Sequence, residues 1–453
     1  MPIGTAATTM PTVASWILLH VHATVRQPPK NASAVAHSSN NEKIYASLLR
    51  QRPPVPSNLY VYCADGTFGE TPRVLSMVDD IILFHAYIGP AFPSPKPWKG
   101  DFFIYRSDSN RRSLERLPHP QGMIGRDDPF GIFPREGDSY TIAALLPSIS
   151  SMYDFELHLF DSETRIWSRK NLTVGSRQER FKVDIPINIS QILHHNTSTV
   201  ITLGGSMCWV DLWRGILFCD MLSEKHALTG VPLPLPLIYY SGDRSKILGP
   251  AKCHRSIAFL DGCTRLVEVN SDVSIAEGTE FGCGRTEDWT ITTWYNNNVH
   301  NNSYDDWHPD ITLKASNIIL GNHSVKLPLG LQYLFVSDPT ICMNNRDGYI
   351  VYLTAREKYM HSKSWIIAID LKKRKVQSVV LSGPVPPPMP RIDTNYCTCS
   401  ISKYCTSTST GIMQEIMQVH FPPEKQTVMR SVQRMTGRSL HRKVNLACTF
   451  HGN

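Results

Sequence analysis

Three stretches of this chain share one layout, and that layout restricts the fold more than any other feature. Phe160-Asp161 precedes SETRIW, Cys219-Asp220 precedes MLSEKHAL, and Ile369-Asp370 precedes LKKRKVQ. In each, an apolar strand ends in Asp, a polar turn follows, and an aliphatic strand returns. Asp recurs where the strand must stop because its carboxylate can accept backbone N–H groups in the turn. Tyr105 to Leu117 is a looser fourth copy. The spacing is 55 residues from Tyr105 to Phe160 and 59 from Phe160 to Cys219, close to the roughly 50 of a kelch-type blade of four strands. From Cys219 to Ile369 there are 150 residues, room for two more units with insertions. The recurrence predicts an all-β, β-propeller-like ring of five to seven four-stranded units, six by best fit. Stacked sandwiches would also give hairpins, but they need not repeat a unit length.

The remaining strands are read around that frame. Val13–His20 is a first strand, Gln27 to Ser57 is mostly loop, and Asn58–Cys63 is a second strand closed by Asp65-Gly66. Paired strands flank Asp79-Asp80, and a Gly/Asp/Pro-rich loop runs from Gly122 to Pro134. Ser256–Val269 is a hairpin across Asp261-Gly262, and the Asn-rich loop with Asp305-Asp306-Trp307-His308 is an insertion. This divides the chain into a leader (1–12), a body (13–382), a Pro-rich connection with a Cys-containing closing segment (383–405) and a basic tail (406–453).

The formal charge of +7 is carried largely by the last part of that tail. From Lys425 onward come six basic residues and no Asp or Glu, leaving the body near +1. The body therefore has no net pull toward nucleic acid. Arg430, Arg434, Arg438 and Arg442 recur every four residues beside Val428, Val432, Met435 and Leu440, a basic amphipathic pattern weakened by Gly437. It would suit an acidic partner or nucleic acid if helical, and is otherwise a solvated tail. Eleven scattered Cys in apolar contexts read as reduced thiols. With no basic n-region before the first apolar stretch and no run of membrane-spanning length, the chain reads as intracellular, not secreted, and without a membrane span. The six Asn-x-Ser/Thr sites are at the level chance would give.

Reaction chemistry stays at background. Cys397-x-Cys399 with Cys405, and His441 or Cys448 as a fourth ligand, make only half of a zinc knuckle pair, so the cysteines read as free thiols and no metal or cofactor is expected. His194-His195 read as turn residues, one facing solvent, since neighbours on a strand point to opposite faces. Asp79-Asp80 and Asp127-Asp128 read as turn residues. A glycosidase-like site would need carboxylates from different units about 5 to 9 Å apart, so convergence of three or more of Asp79, Asp127, Asp211 and Asp305 on one funnel is the geometric test of an enzyme. No P-loop, G-x-S-x-G, H-E-x-x-H or G-x-G-x-x-G is present.

Residues Cys208 to Leu237 are the most distinctive stretch, with Trp209, Asp211, Trp213, Arg214, Gly215 and Asp220 as its structural signature. Trp213 is expected to pack between sheets and Arg214 to pair with a carboxylate or carbonyl. HHNTSTVITLGG (194–205), WVDLWRGILFCDML with VPLPLPL (209–237), and ISKY (401–404) lie alongside an opening WILL and SWIIAIDL. Together they resemble the grass-expanded plant family called domain of unknown function sixteen-eighteen, over about residues 13 to 405. The resemblance implies a propeller-like body, a plant source and an intracellular setting, and it brings no catalytic residue. The tail after Cys405 departs from it. The Asp-turn hairpins resemble those of kelch-like and F-box-associated propellers, and that fold-level analogy leads to a non-enzymatic module that binds another protein through loops on one face. The alternatives are an enzyme with a central acidic pocket, acting on a carbohydrate, and nucleic-acid binding through the tail, which would be salt-sensitive and lost on truncation after Cys405.

Overall fold

The computed structural model describes residues 16–29, 32–90, 100–120, 129–148, 154–174, 195–234, 236, 250–260, 263–274, 285–297, 307–343, 349–358, 361, 363–382 and 396–400. The chain divides into two units, Met1–Pro28 with Ser33–Thr406, and Pro29–Ala32 with Ser407–Asn453. The first carries every described strand. The leader 1–12, the Pro-rich segment 383–390 and the basic tail from 407, with its four arginines, lie outside the described residues.

The first strands are β1 (Trp16–His20), β2 (Thr24–Val25), β3 (Ala34–His37), β4 (Lys43–Leu49) and β5 (Asn58–Cys63). Blade I follows as β6 (Arg73–Val78), β7 (Ile81–Ala86), β8 (Asp101–Arg106) and β9 (Ser113–Arg116). Blade II is β10 (Phe130–Pro134), β11 (Tyr140–Pro147), β12 (Asp154–Asp161) and β13 (Ile166–Thr173). Blade III is β14 (Thr199–Leu203), β15 (Ser206–Asp211), β16 (Gly215–Asp220) and β17 (Leu228–Pro232). After the short helix α1 (Ala251–His254), blade IV is β18 (Arg255–Leu260), β19 (Cys263–Ser274), β20 (Arg285–Asn296) and β21 (His308–Lys314). Blade V is β22 (Phe335–Ile341), β23 (Ile350–Arg356), β24 (Ser364–Asp370) and β25 (Lys375–Ser382), and the chain returns as β26 (Tyr396–Ser400).

Blades I to V are antiparallel meanders in chain order, and the sixth four-stranded sheet has the order β2-β5-β4-β3. Beside it, a separate two-stranded sheet joins both ends of the body. Strand β26 pairs antiparallel with β1, from Trp16 with Ser400 to His20 with Tyr396. The β1–β2 stretch runs parallel to β5, through Leu19 with Ser57 and Thr24 with Tyr60.

Closure of the ring follows from where the apolar side chains go. Six separate cores fill six seams. One lies between the closing blade and blade I (Leu19, Val61, Phe84), and the next between blades I and II (Leu83, Phe102, Ile142). Further cores join II to III (Leu157, Trp209), III to IV (Val210, Leu266) and IV to V (Trp289, Leu353). The last joins Trp16 and Leu18 of β1 to Tyr352 and Ile366 of blade V. Neighbouring residues of one strand serve opposite seams, as Leu83 and Phe84 do. A strand buried on both faces reads as a continuous apolar run, which is why IILFHA and SWIIAID show no alternation.

Three expectations from the sequence are corrected. Gln27 to Ser57 is not mostly loop: it contains β3 and β4, where Ile44 and Ala46 are fully buried while Tyr45 between them is half-buried. The loop ending at Pro134 closes with β10. Its Gly131 lacks the Cβ that would collide with Met207 Cε and Val200 Cγ1 of blade III, and Pro134 sits at the strand end, where a missing N–H is tolerated. The insertion ending at His308 gives way to strand β21 at that residue. Trp307 docks on blade III by donating its indole N–H to the Pro232 carbonyl at 3.0 Å.

Candidate functional site

In a meander of four strands, the first and third turns fall on one face of the ring and the second turn on the other. The recurring Asp residues occupy the third turn. Asp161 Oδ1 accepts the Glu163 and Thr164 N–H groups, each at 2.9 Å. Asp220 Oδ1 accepts Leu222 N–H at 2.9 Å, and Asp370 Oδ1 accepts Lys373 N–H at 2.9 Å. In the looser copy Asp108 does the same for Asn110 at 3.0 Å. The Thr164 N–H above all, and then Arg135, holds the Asp161 carboxyl below the usual carboxylate range. Asp79 and Asp80 form the first turn of blade I, with Asp79 at φ 53°, so they share this face.

Asp211 stands at the second turn of blade III and therefore on the opposite face from Asp79. Asp127, Asp128, Asp305 and Asp306 lie outside the described residues. The two described members of the carboxylate set do not converge.

The WVDLWRG stretch divides between two seams. Trp209 faces blade II, is fully buried, and donates its indole N–H to the Pro129 carbonyl at 2.7 Å. Trp213 faces blade IV. Between them, Asp211 ends β15 and Gly215 opens β16, with Leu212, Trp213 and Arg214 as the turn. Asp211 is almost wholly buried. Its Oδ1 accepts Trp213 N–H at 3.0 Å, and its Oδ2 accepts Asn196 N–H at 2.8 Å and Arg214 Nη1 at 2.9 Å. Asp220 lies at the other end of β16, in the Asp-turn set.

Residues that the sequence reading did not single out complete this junction. Arg255, first residue of β18, has no exposed surface. Its Nε and Nη2 donate to Glu268 Oε2 at 2.8 and 2.6 Å, and its Nη1 donates to the Leu212 and Pro234 carbonyls at 3.2 and 2.9 Å. The guanidinium carbon lies 5.5 Å from the Trp213 ring centroid and 5.9 Å from that of Trp294. One cation thus ties the turn of blade III to the first hairpin of blade IV, with aromatic faces contributing to its stabilisation in place of water. Its chemistry is that of a fastening.

His195 is buried beside Asp211 and Arg214, whereas His194 lies outside the described residues. Burial, opposed by the Asp211 charge, pushes the His195 pKa down to about 4. Unfolding lets the ring return to its ordinary 6.5, so the unfolded chain binds the extra proton as pH falls through that window. Stability should be full above pH 6.5 and fall by at most about 3 kcal/mol on reaching pH 4. Urea midpoints across this range, compared with a His195→Gln chain, check the expectation; an equal acid loss in the variant would assign it elsewhere.

Tryptophans stitch other seams in the same manner. Trp167 donates to the Pro118 carbonyl at 2.8 Å and Trp289 to that of Leu331 at 2.9 Å. Cys397 and Cys399 fall on β26, and Cys405, His441 and Cys448 lie outside the described residues. Among the described residues no group of His, Cys, Asp and Glu is arranged to hold a metal ion. No described helix is long and apolar enough to cross a membrane.

Among the described residues, five antiparallel meanders and a closing blade of mixed pairing, joined by six cores, define a six-bladed β-propeller. Residues 209–352, from Trp209 in blade III to Tyr352 in blade V, match the model of the family described as "Protein of unknown function (DUF1618)". No curated protein sequence matches the chain. Solved structures similar to it include BamB from Moraxella catarrhalis, at 10% identity and TM-score 0.28, covering 82% of this chain and 88% of that one. The β-propeller domain of the Trilobed protease from Pyrococcus furiosus is similar at 10% identity and TM-score 0.28, over 69% and 71% of the two chains. The WD40 domain of SCAP from fission yeast is similar at 9% identity and TM-score 0.30, over 84% and 94%. At these scores none carries an argument, and the propeller rests on its own pairing and cores.

Proposed function

We propose that this propeller is a non-enzymatic scaffold that binds another protein through the face carrying the first and third turns of its blades. One observation carries the reading. An Asp carboxylate anchors the third turn in blades I, II, III and V, while the side chains those turns display differ from blade to blade. Blade II presents Ile166, 64% exposed, beside that turn; blade III presents Leu222, 75% exposed; blade V presents Lys372 to Lys375. A constant frame with varied exposed residues is how rigid loops on a scaffold serve recognition. An intracellular setting is part of the proposal. It is supported by Cys63, Cys208, Cys219, Cys253, Cys263 and Cys342 being free thiols, all but Cys263 buried.

The test is affinity purification of the full chain from cells that express it, beside an Ile166→Ser/Leu222→Ser chain. A stoichiometric protein partner that is lost from the variant is the expected result. A partner held equally by both chains would move the site off this face. No stoichiometric protein with either would sink the scaffold reading and turn attention to glycans and small molecules.

A further inference from the structure

We propose that the third turn of blade V, Lys372-Lys373-Arg374-Lys375, is a docking site for an acidic peptide segment of a protein partner. This rests on the scaffold reading and names the chemistry of one of its contacts. All four side chains are exposed on a single tight turn between β24 and β25. The net charge near +1 of residues 1–424 conceals this concentration, because carboxylates elsewhere in the chain offset the four cations of the turn in that sum.

The fold does not require these residues. The turn needs Asp370 to accept Lys373 N–H, and a residue in the left-handed region at Arg374, φ 51°. Asn or Gly would meet the second need with less strain. Blade II has the same frame, with Arg165 at φ 59°, four residues after its Asp. There the arginine is used inside the protein, paired with Glu115 and donating to the Arg116 carbonyl. In blade V only Lys373 has a carboxylate, Asp370 at 3.1 Å. Among the described residues no carboxylate pairs with Lys372, Arg374 or Lys375.

The turn is held in place without neutralising it. Lys372 Nζ stands 3.6 Å from the Tyr349 ring centroid, and Arg265 lies over the same ring at 4.3 Å with its charge met by Asp310 at 2.8 Å. The Arg374 carbonyl accepts Ile319 N–H and the Ile319 carbonyl accepts Val376 N–H, each at 2.9 Å. The segment that follows Ile319 brings His323 to the same place, since Lys375 Cε and His323 Nε2 both lie within 4 Å of where a Cβ on Gly321 would stand. The result is a fixed cationic knob on the proposed recognition face, with three of its four cations unpaired by any described carboxylate. Carboxylates spaced along an extended segment complement it, by charge more than by shape.

The test measures fluorescence anisotropy of a labelled Asp/Glu-rich peptide of about 12 residues with purified full chain. A Lys372→Gln/Arg374→Asn/Lys375→Gln chain removes the charge while placing at position 374 a residue suited to its backbone. The basic tail is controlled by repeating both in an Arg430→Gln/Arg434→Gln/Arg438→Gln/Arg442→Gln background. The turn substitutions should weaken binding about tenfold or more in both backgrounds, with binding fading as salt rises from about 50 to 500 mM. Equal binding with and without the turn charges overturns the proposal, as does an absence of binding at low salt. A single-stranded RNA of similar length bound more tightly through the same residues would overturn the peptide assignment in favour of nucleic acid. The two readings fail separately. Peptide binding without any cellular partner counts against the scaffold alone, and a cellular partner with no peptide binding counts against this turn alone.

Discussion

Replacing Arg255 with methionine should destabilise the propeller by about 3–5 kcal/mol, because it leaves Glu268 as an uncompensated buried carboxylate. The Glu268 side chain is only 3% exposed, and it has both Nε and Nη2 of Arg255 on one oxygen. The same substitution takes the donor from the Leu212 and Pro234 carbonyls, so blade III loses its tie to blade IV at that point. A double Arg255→Met/Glu268→Leu chain should recover most of the loss, since replacing a buried pair with apolar groups of similar volume is often near neutral. Urea unfolding of the single and double variants, followed by tryptophan fluorescence, measures the coupling. Strictly additive losses would mean that the pair does not act as a unit. Arg214→Met supplies a scale: Arg214 is paired with Asp211 at 2.9 Å, but its side chain keeps 11% exposure and Asp211 keeps two backbone N–H donors. Its loss should be clearly smaller.

The Arg255–Glu268 pair also marks the limit of what the sequence made legible. The hairpin across Asp261-Gly262 was readable from its apolar runs, and its register places these two charges directly opposite each other. A charge at each of two facing positions in an apolar hairpin was the available signal. What no local pattern carries is the partner across the seam, because Leu212 and Pro234 contribute backbone carbonyls rather than side chains. Strands such as Asn58–Cys63 stood out with their limits intact, since Tyr60 and Tyr62 alternate cleanly with Leu59 and Val61. The frame of the third turn was equally plain, because one Asp side chain specifies it wherever it occurs. Lys43–Leu49 was obscured by its setting: Ile44 and Ala46 face the core, but the flanks are polar and its outer face is only half-buried. Strand β10 was hidden by Gly131 and Pro134, which usually end strands and here permit a close approach and a strand end. The pairing of β1 with β26 joins the two ends of the body, and strand pairing over such a separation leaves no mark in either segment.

Trp209 should prove the most sensitive single position of the signature stretch, for two separable reasons. Its indole has no exposed surface and fills the seam between blades II and III together with Leu157, Met207 and Leu217. Truncation to alanine should cost about 3–5 kcal/mol through lost burial and the cavity left behind. The seam has little freedom to collapse, because β10 already approaches so closely that Gly131 has no room for a Cβ beside Met207 and Val200. Substitution by phenylalanine isolates the second contribution. It keeps much of the apolar area but removes the donor that meets the Pro129 carbonyl at 2.7 Å, which should cost about 1–3 kcal/mol for the acceptor left without it. Trp167→Phe is the matched comparison, removing the same kind of bond, to Pro118 at 2.8 Å, from an indole that remains partly in contact with water. Water can replace that donor, so its loss should be the smaller. Chemical unfolding of the three variants beside the unaltered chain should rank the losses with Trp209→Ala largest, Trp209→Phe next and Trp167→Phe smallest. Equal losses for the two phenylalanine variants would show that water does not replace the lost donor at Trp167 and would overturn this ranking.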